Sequence, residues 1–550
     1  MSSPESLAAG LAACLFLAAP ASAQTEQSGG ALRPDQACFD VDHYELVLAV
    51  VPDRKLIAGS LTMTATVQRP TKLIALDLDG RFKVHRVTVG EAVTDATHEE
   101  GRLRIPLPGP ERAQGEELKV SVLYSGAPRV APNPPWVGGF TWSETPSGAP
   151  WIATSCQMEG ADLWWPCKDH PSDKPDSFDL KVTVPAGLVC VSNGRLAGVT
   201  QGDQGARTFH WHTSTPIANY SIALNIAPYD AITRKVKSVA GDTYPVTFWH
   251  LPESAEKAPA LFEEILDHLA HMESVCGPYP FRVDKYGVVE TPHLGMEHQT
   301  IIAYGNQFRG DPNFDYDWLH HHELSHEWWA NLVTCDDWAD FWIHEGFGTY
   351  MQALYLESRF GEEAYRKKLE VDWKRVSNAG PIAPRAPRAT QDMYFAGEGS
   401  DAPGGDIYFK GSWFLHNLRW LMGDEPFFRF LRRLTYPTPE SEQDAAHPPV
   451  HFLDTAGVVK AATAAAETDL QWYFDAVVRQ KELPVLEVWA EDRTLHLQWR
   501  TANGRPYPMP VEVLVEGEAV RVDCPSGHGR LDVGTRTWEV DPKRWLLRKR

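Results

Sequence analysis

Between Cys38 and about Asp230 the chain alternates. In Leu61-Thr62-Met63-Thr64-Ala65-Thr66-Val67 apolar side chains take every second place with threonines between them. That period of two marks a strand with one buried face. Leu73 to Leu78 and Leu118 to Tyr124 read as further strands, and a Pro/Gly-rich loop from Gly126 to Pro150 interrupts the region. After about Leu251 the period lengthens. Leu261, Phe262, Ile265, Leu269 and Met272 recur at helical spacing, and Gly277-Pro278-Tyr279-Pro280 closes that segment. From Asp317 to about Lys481 the periodic stretches are mostly helical, broken by a Pro/Gly/Ala-rich loop from about Asn378 to Asp406. The last segment, Pro484 to Arg550, returns to strands, with Leu495, Leu497 and Trp499 alternating with His496 and Gln498. No repeat is visible. The pattern therefore predicts a β region, a helical region and a small second β region.

Composition adds bounds. A chain of 550 residues is too long for one core, and 43% hydrophobic with 23% charged residues is ordinary for a folded protein. The net charge of −21, with no polybasic run, argues against nucleic acid as a partner. The 20 Trp, 17 Tyr and 22 Phe point to large cores and aromatic-lined pockets.

The first 23 residues read as an export signal. An apolar run from Leu7 to Pro20 precedes Ala21-Ser22-Ala23, an A-x-A cleavage site. Leu11-Ala12-Ala13-Cys14 also resembles a lipobox. Apolar residues continue past Cys14 and too few precede it, so the expectation is a soluble, exported (periplasmic or secreted) protein rather than a lipid-anchored one. No later stretch reaches the ~18 apolar residues of a transmembrane segment. Seven cysteines follow the signal: Cys38, Cys156, Cys167, Cys190, Cys276, Cys335 and Cys524. That odd count leaves at least one thiol unpaired within a monomer, and connectivity cannot be read from spacing.

The densest chemistry is His320-His321-His322-Glu323-Leu324-Ser325-His326-Glu327. Two histidines four residues apart share a helix face and can reach one ion. Only His322 has such a partner, His326, which makes His322-Glu323-x-x-His326 the H-E-x-x-H pattern of a metallohydrolase with Glu as general base. Five residues with three fixed positions also arise by chance, and the bland alternative is a helix with surface histidines. Flanking Trp318, Leu319, Trp328, Trp329 and Leu332 oppose that alternative, because buried His and Glu without partners are expensive. Glu345, separated from His326 by 18 residues, offers a third ligand. Two His and one Glu leave a fourth position open, as in a catalytic zinc site.

These residues resemble the zinc aminopeptidases of the aminopeptidase N and leukotriene hydrolase type, within the gluzincins. His322, Glu323, His326 and Glu345, the last in a W-x-x-E-G-F context, match the metal motif. Leu294-Gly295-Met296-Glu297-His298 approximates the G-x-M-E-N exopeptidase motif, Tyr408-Phe409-Lys410-Gly411 matches Y-x-K-G, and Gln157 through Pro171 matches an upstream Q…P-C-x-D-x-P segment. The resemblance spans nearly the whole mature chain.

It implies one Zn2+ per chain on His322, His326 and Glu345, with Glu323 as general base. It further implies Tyr408 as donor to the oxyanion, Glu297 and Gln157 in a pocket for the substrate's free ammonium, and Gly295 and Met296 presenting backbone to the peptide. Glu327, His320 and His321 are expected to be structural or to steady a ligand from behind, and His344 is unassigned. The implied fold is α+β and multidomain: an N-terminal β (saddle-like) domain over 31–235, a thermolysin-like, mainly helical zinc catalytic domain over 236–482, and a small C-terminal β-sandwich over 483–550. The implied activity is hydrolysis of the first peptide bond of peptides with a free N-terminus. Rivals are an endopeptidase or epoxide hydrolase on the same fold, and a catalytically inactive peptide-binding or assembly protein. Three departures stand out. Leu294 and His298 occupy places usually held by Gly and Asn, and about 70 residues follow Lys481, too few for the long helical C-terminal domain of larger members.

Overall fold

A computed structural model describes residues 28–395 and 400–549; the export signal at 1–23 lies outside the described residues. The alternating N-terminal stretch forms the strand Leu56–Val67. Its Leu61, Met63, Ala65 and Val67 are fully buried while the intervening threonines are only half covered, as a one-sided strand requires. That strand lies in an eight-stranded sheet ordered Arg195–Gln201, Arg207–Thr213, Ser177–Val184, Phe39–Val51, Leu56–Val67, Glu117–Gly126, Phe82–Val89, Ala92–Val93. The pairings are antiparallel except that between Phe39–Val51 and Ser177–Val184.

The stretch from Gly126 to Pro150 is not wholly loop. It contains the strand Gly139–Glu144, paired antiparallel with Pro150–Ser155. Its sequence, GFTWSE, mixes burial on both faces and therefore lacks the alternation that would reveal it.

A five-stranded mixed sheet follows, ordered Asp230–Lys237, Thr243–His250, Tyr286–Glu290, Ile302–Tyr304, Gly295–Met296. Its central strand Tyr286–Glu290 is buried throughout and pairs in parallel on both sides. The two-residue strand Gly295–Met296 sits at the sheet edge, antiparallel to its neighbour.

Helices then dominate: α1 (Ala258–Cys276), α2 (Trp318–Ser325), α3 (Trp342–Phe360), α4 (Glu362–Trp373), α5 (Thr390–Tyr394), α6 (Asp406–Met422), α7 (Asp424–Thr435), α8 (Thr455–Ala466) and α9 (Gln471–Val477). The expected loop between Asn378 and Asp406 thus carries the short helix α5. Two glycines set the crossing of α3 and α6. A Cβ on Gly411 would lie 2.8 Å from the Gly346 Cα, so the backbones touch where only hydrogen fits.

The C-terminal strands form two three-stranded sheets, Val485–Glu491, Thr494–Arg500, His528–Asp532 and Glu518–Val522, Val511–Val515, Trp538–Val540. They bury Leu495, Leu497, Trp499, Val511 and Val513, in the small second β region that the alternation predicts. All seven cysteines of the described residues are buried and free. Among the described residues no helix is long and apolar enough to cross a membrane.

Candidate metal centre

The helix α2 is short and well anchored. The Asp317 side chain caps it by accepting from the backbone N–H of His320 at 3.0 Å, and its other oxygen takes the Tyr304 hydroxyl. The helix ends at Ser325, with His326 in helical conformation as its C-cap. The chain then opens into a wide turn closed by Asn331 N–H to His326 C=O at 2.9 Å. His322 and His326 keep the one-face spacing because the break falls just after them.

Glu345 arrives from the first turn of α3. The two Nε2 atoms lie 3.3 Å apart, and each is 3.5 Å from Glu345 Oε2. A tetrahedron with bonds of ~2.0–2.1 Å has edges of about 3.3–3.4 Å. The three atoms therefore already stand at the separations that one four-coordinate ion requires. Oε2 of Glu345 is buried and accepts no hydrogen bond among the described residues, while its Oε1 accepts from the Tyr394 hydroxyl at 3.1 Å. Nδ1 of His326 faces the Trp329 carbonyl at 3.1 Å, which holds the tautomer that frees Nε2. The donor set, the spacing and the orphaned oxygen together fit a divalent ion of zinc's preference.

Electrostatics agree. Burial works against charge on His326, yet Glu345, with Glu297 and Glu323 behind it, pushes its pKa up to about 10. For Glu345, burial would raise the carboxyl, but His326 and His322 hold it well below the usual range. Without a cation the Glu345 carboxylate is balanced by a proton on His326, and a bound cation would take that proton's place.

Glu323, on the same helix, is only 7% exposed and accepts no hydrogen bond among the described residues. Burial, opposed by His326 and assisted by Glu297 and Glu345, raises its pKa well above the ordinary value. Its place depends on Gly295, where a Cβ would sit 2.2 Å from Glu323 Oε1. The edge strand thus runs directly against the candidate base.

Glu297 lines the same cleft. Its Oε1 accepts from the Gln157 amide and from the Tyr220 hydroxyl, the latter at 3.0 Å. The Asn331 amide holds its backbone carbonyl at 3.0 Å. Burial raises its pKa to about 7, His326 opposing and Glu345 adding to the rise. Tyr408, near the start of α6, stacks on His322 with ring centroids 6.0 Å apart and shares a short hydroxyl contact with Tyr394. Gln157, Gly295, Met296, Glu297, His322, Glu323, His326, Glu345 and Tyr408 all line one cavity of about 540 Å³.

The neighbouring histidines are elsewhere. His320 bonds His268 at 2.9 Å and Tyr286 at 2.8 Å, His321 packs on Tyr355, and His344 accepts the backbone N–H of Cys335. Glu327 accepts from Thr300 N–H at 2.7 Å and steadies the turn behind Glu297 rather than an imidazole. A backbone carbonyl, that of Trp329, holds His326 from behind in place of a carboxylate. Sequence reasoning missed Tyr394 and Tyr220. Tyr394 lies in a segment that reads as loop and Tyr220 in one that reads as strand, and nothing in their spacing ties them to the ligands.

Family models match the two parts that build this cleft: a peptidase M1 N-terminal domain over residues 40–221 and a peptidase family M1 domain over 281–442. The chain belongs to the M1 peptidase family. Among its M1 relatives, leucine aminopeptidase 2 of Emericella nidulans is 28% identical over 292 residues, covering 51% of this chain and 45% of the relative. Leukotriene A-4 hydrolase of Xenopus laevis is 28% identical over 363 residues, covering 62% and 55%. The chain thus spans about half the length of the curated relatives it matches. An M1 zinc metallopeptidase from Deinococcus radiodurans superposes with a TM-score of 0.63 at 23% identity, over 81% of this chain and 94% of that one. At that identity the likeness speaks to the M1 fold.

Proposed function

We propose that this protein is an exported zinc aminopeptidase that removes N-terminal residues from peptides. The observation that carries the reading is the Glu297 carboxylate in the same cavity as the two-His, one-Glu ligand set. His322, His326 and Glu345 would hold the ion, which when bound supplies Lewis-acid charge to polarise a carbonyl and acidify water.

The chain's own groups do the rest. Glu297 binds the substrate ammonium, with Gln157 and Tyr220 fixing its carboxylate. The free edge of Gly295–Met296 offers backbone to an extended peptide, adding it as a further strand. With the N-terminus seated at Glu297, the first peptide bond lies beside Glu323. Glu323 takes a proton from the attacking water and delivers it to the leaving amine, a task suited to a carboxyl whose pKa burial has raised. Tyr408 donates its hydroxyl to the developing oxyanion.

The test is a panel of aminoacyl arylamides and unmodified peptides, each also supplied N-acetylated, assayed with and without a chelator. Free substrates should turn over in a chelator-sensitive manner and acetylated ones should not. Equal turnover of free and blocked peptides would remove the exopeptidase reading, and chelator-insensitive or absent turnover on every substrate would remove the metallopeptidase reading. Glu323→Gln should lower kcat by about 10²- to 10⁴-fold, the usual contribution of a general base, while the purified protein keeps its zinc.

A further inference from the structure

The cavity sets two groups of contacts around the ligands. Glu297 is held by Gln157 and Tyr220, whereas Tyr408 stacks on the ligand His322 and has the Phe409 ring 6.0 Å from its own. With Tyr408 the lining includes Phe409 of α6, Lys368, Val371 and Asp372 of α4, and Arg375 just after α4. Outside the ligand set, two of the described lining residues are cationic, Lys368 and Arg375, and they differ in kind. Lys368 is 7% exposed and spent on Asp372, which it holds at 2.6 and 2.7 Å. Arg375 is exposed, and its guanidinium lies 5.1 Å over the Phe409 ring. That guanidinium makes no hydrogen bond or ion pair among the described residues. Asp372, already held by Lys368, feels it only through space, and Asp311 on the same wall turns Oδ1 to the N–H of Asn313 at 2.7 Å.

An arginine laid flat on an aromatic ring keeps its fork of N–H donors pointing outward at little entropic cost. Outside the ligand set it is the cation of the described lining that no carboxylate holds, and it is complementary to an anion. We infer that Arg375 is a specificity-determining residue that recognises a carboxylate on the leaving part of the peptide, either the chain's own C-terminus or an acidic side chain. This rests on the aminopeptidase reading, because a substrate whose ammonium pairs with Glu297 turns its leaving part away from Gln157 and Tyr220. The cleft would then read a short peptide by both ends of its zwitterion.

The experiment compares kcat/KM for Leu-Gly, Leu-Gly-Gly and Leu-Gly-Gly-Gly with their C-terminal amides, and Leu-Asp-amide with Leu-Asn-amide. The full-length holoenzyme is used, with leucine arylamide turnover measured in parallel. At low salt the acid should be favoured over the amide at one chain length by roughly two- to fivefold, the range of an exposed ion pair. The preference should lie mainly in KM and fade as ionic strength rises. Arg375→Gln should bring the acid-to-amide ratio to about one, and Arg375→Glu should invert it. A loss confined to folding would lower both members of each pair and leave their ratio alone. The Asp/Asn pair separates the two sources: a ratio above one there assigns the site to side chains, and a ratio above one only for the glycine series assigns it to the C-terminus. If wild-type ratios are near one in both series while the arylamide is hydrolysed, Arg375 has no such role. If no free-amine substrate is hydrolysed, it is the aminopeptidase reading that falls.

Discussion

At the scale of single residues, the hydroxyl of Tyr394 has two contacts that matter, one to Glu345 Oε1 and one to the Tyr408 hydroxyl. It therefore orients a ligand and the proposed oxyanion donor together. Removing a hydrogen-bond partner behind a metal ligand typically lowers metal affinity or activity by about 10- to 100-fold. Tyr394→Phe should show that loss in zinc affinity as well as in kcat. Tyr394→Phe combined with Tyr408→Phe should lose less than the product of the two single effects, since the groups are bonded to each other. Strictly multiplicative losses would mean that the tyrosines act separately. Gly295 gives a second residue-level expectation. A methyl group there would meet Glu323 Oε1 at 2.2 Å and Leu319 Cδ1 at 2.6 Å. Gly295→Ala should lower kcat by about 10²-fold, the effect of an ångström-scale misplacement, with zinc content unchanged; normal turnover by that variant would show that Glu323 needs no fixed position. Of these residues, Glu323 and the ligand histidines are legible in the sequence because helical geometry ties them over four residues. Tyr394 is not legible, because Tyr408 is 14 positions away, too far for a helical or strand period to tie them, and their contact depends on how α5 packs.

At the scale of elements, the centre exists because α2 meets α3 and α3 crosses α6 at backbone contact. Gly348 lets α3 approach α2: a Cβ there would lie 2.8 Å from Ser325 Oγ and 3.0 Å from His326 Cε1. Gly346 and Gly411 do the same for α3 and α6. The closeness of Glu345 to Tyr394 and Tyr408 follows from these crossings. Gly411→Ala would force the two backbones apart, an overpacking that costs about 1–3 kcal/mol. The urea midpoint should fall accordingly, and kcat should fall with it because Tyr408 rides on α6. Leu497→Ala, in the C-terminal sandwich, should cost stability by opening a cavity while leaving kcat intact. Equal kcat for the two variants would dissociate the helix crossing from catalysis. Element types followed the hydrophobic period wherever burial is one-sided, as in Leu56–Val67 and α1. They were hidden where burial is two-sided or brief, as in Gly139–Glu144, Tyr286–Glu290 and α5, because no alternation survives there.

At the scale of the whole molecule, the N-terminal β region and the helical region share the cleft, and two buried lysines tie them reciprocally. Lys174, from the N-terminal region, donates to the Asn331 carbonyl at 2.7 Å and to the Thr334 hydroxyl. Lys285, from the other side, donates to the Ser192 carbonyl at 3.0 Å and the Thr300 carbonyl at 2.9 Å, over the Trp211 ring. The same joint sets Gln157 and Tyr220 against Glu297, so its integrity bears on substrate binding as well as on folding. Burial lowers both lysine pKa values from the ordinary 10.5 to about 7, only partly offset by Cys335 near Lys174 and by Asp284 and Glu327 near Lys285. The folded chain therefore holds fewer protons than the unfolded chain between about pH 7 and pH 10.5. Stability from these two sites must then rise with pH across that window and be flat below it, where both states carry the charge. One pKa unit corresponds to about 1.4 kcal/mol, so each lysine adds at most about 3 kcal/mol between pH 7 and pH 9. Other groups titrate in the same range, and the difference between variants isolates the effect. Unfolding free energies of the wild type, Lys174→Met and Lys285→Met should be compared at pH 6.5, 8 and 9.5. Each variant's deficit relative to wild type should widen with pH, because methionine has no proton to lose. A deficit that stays constant from pH 6.5 to 9.5 would mean that these lysines remain charged in the folded protein, and that the joint is held by ammonium groups rather than neutral amines.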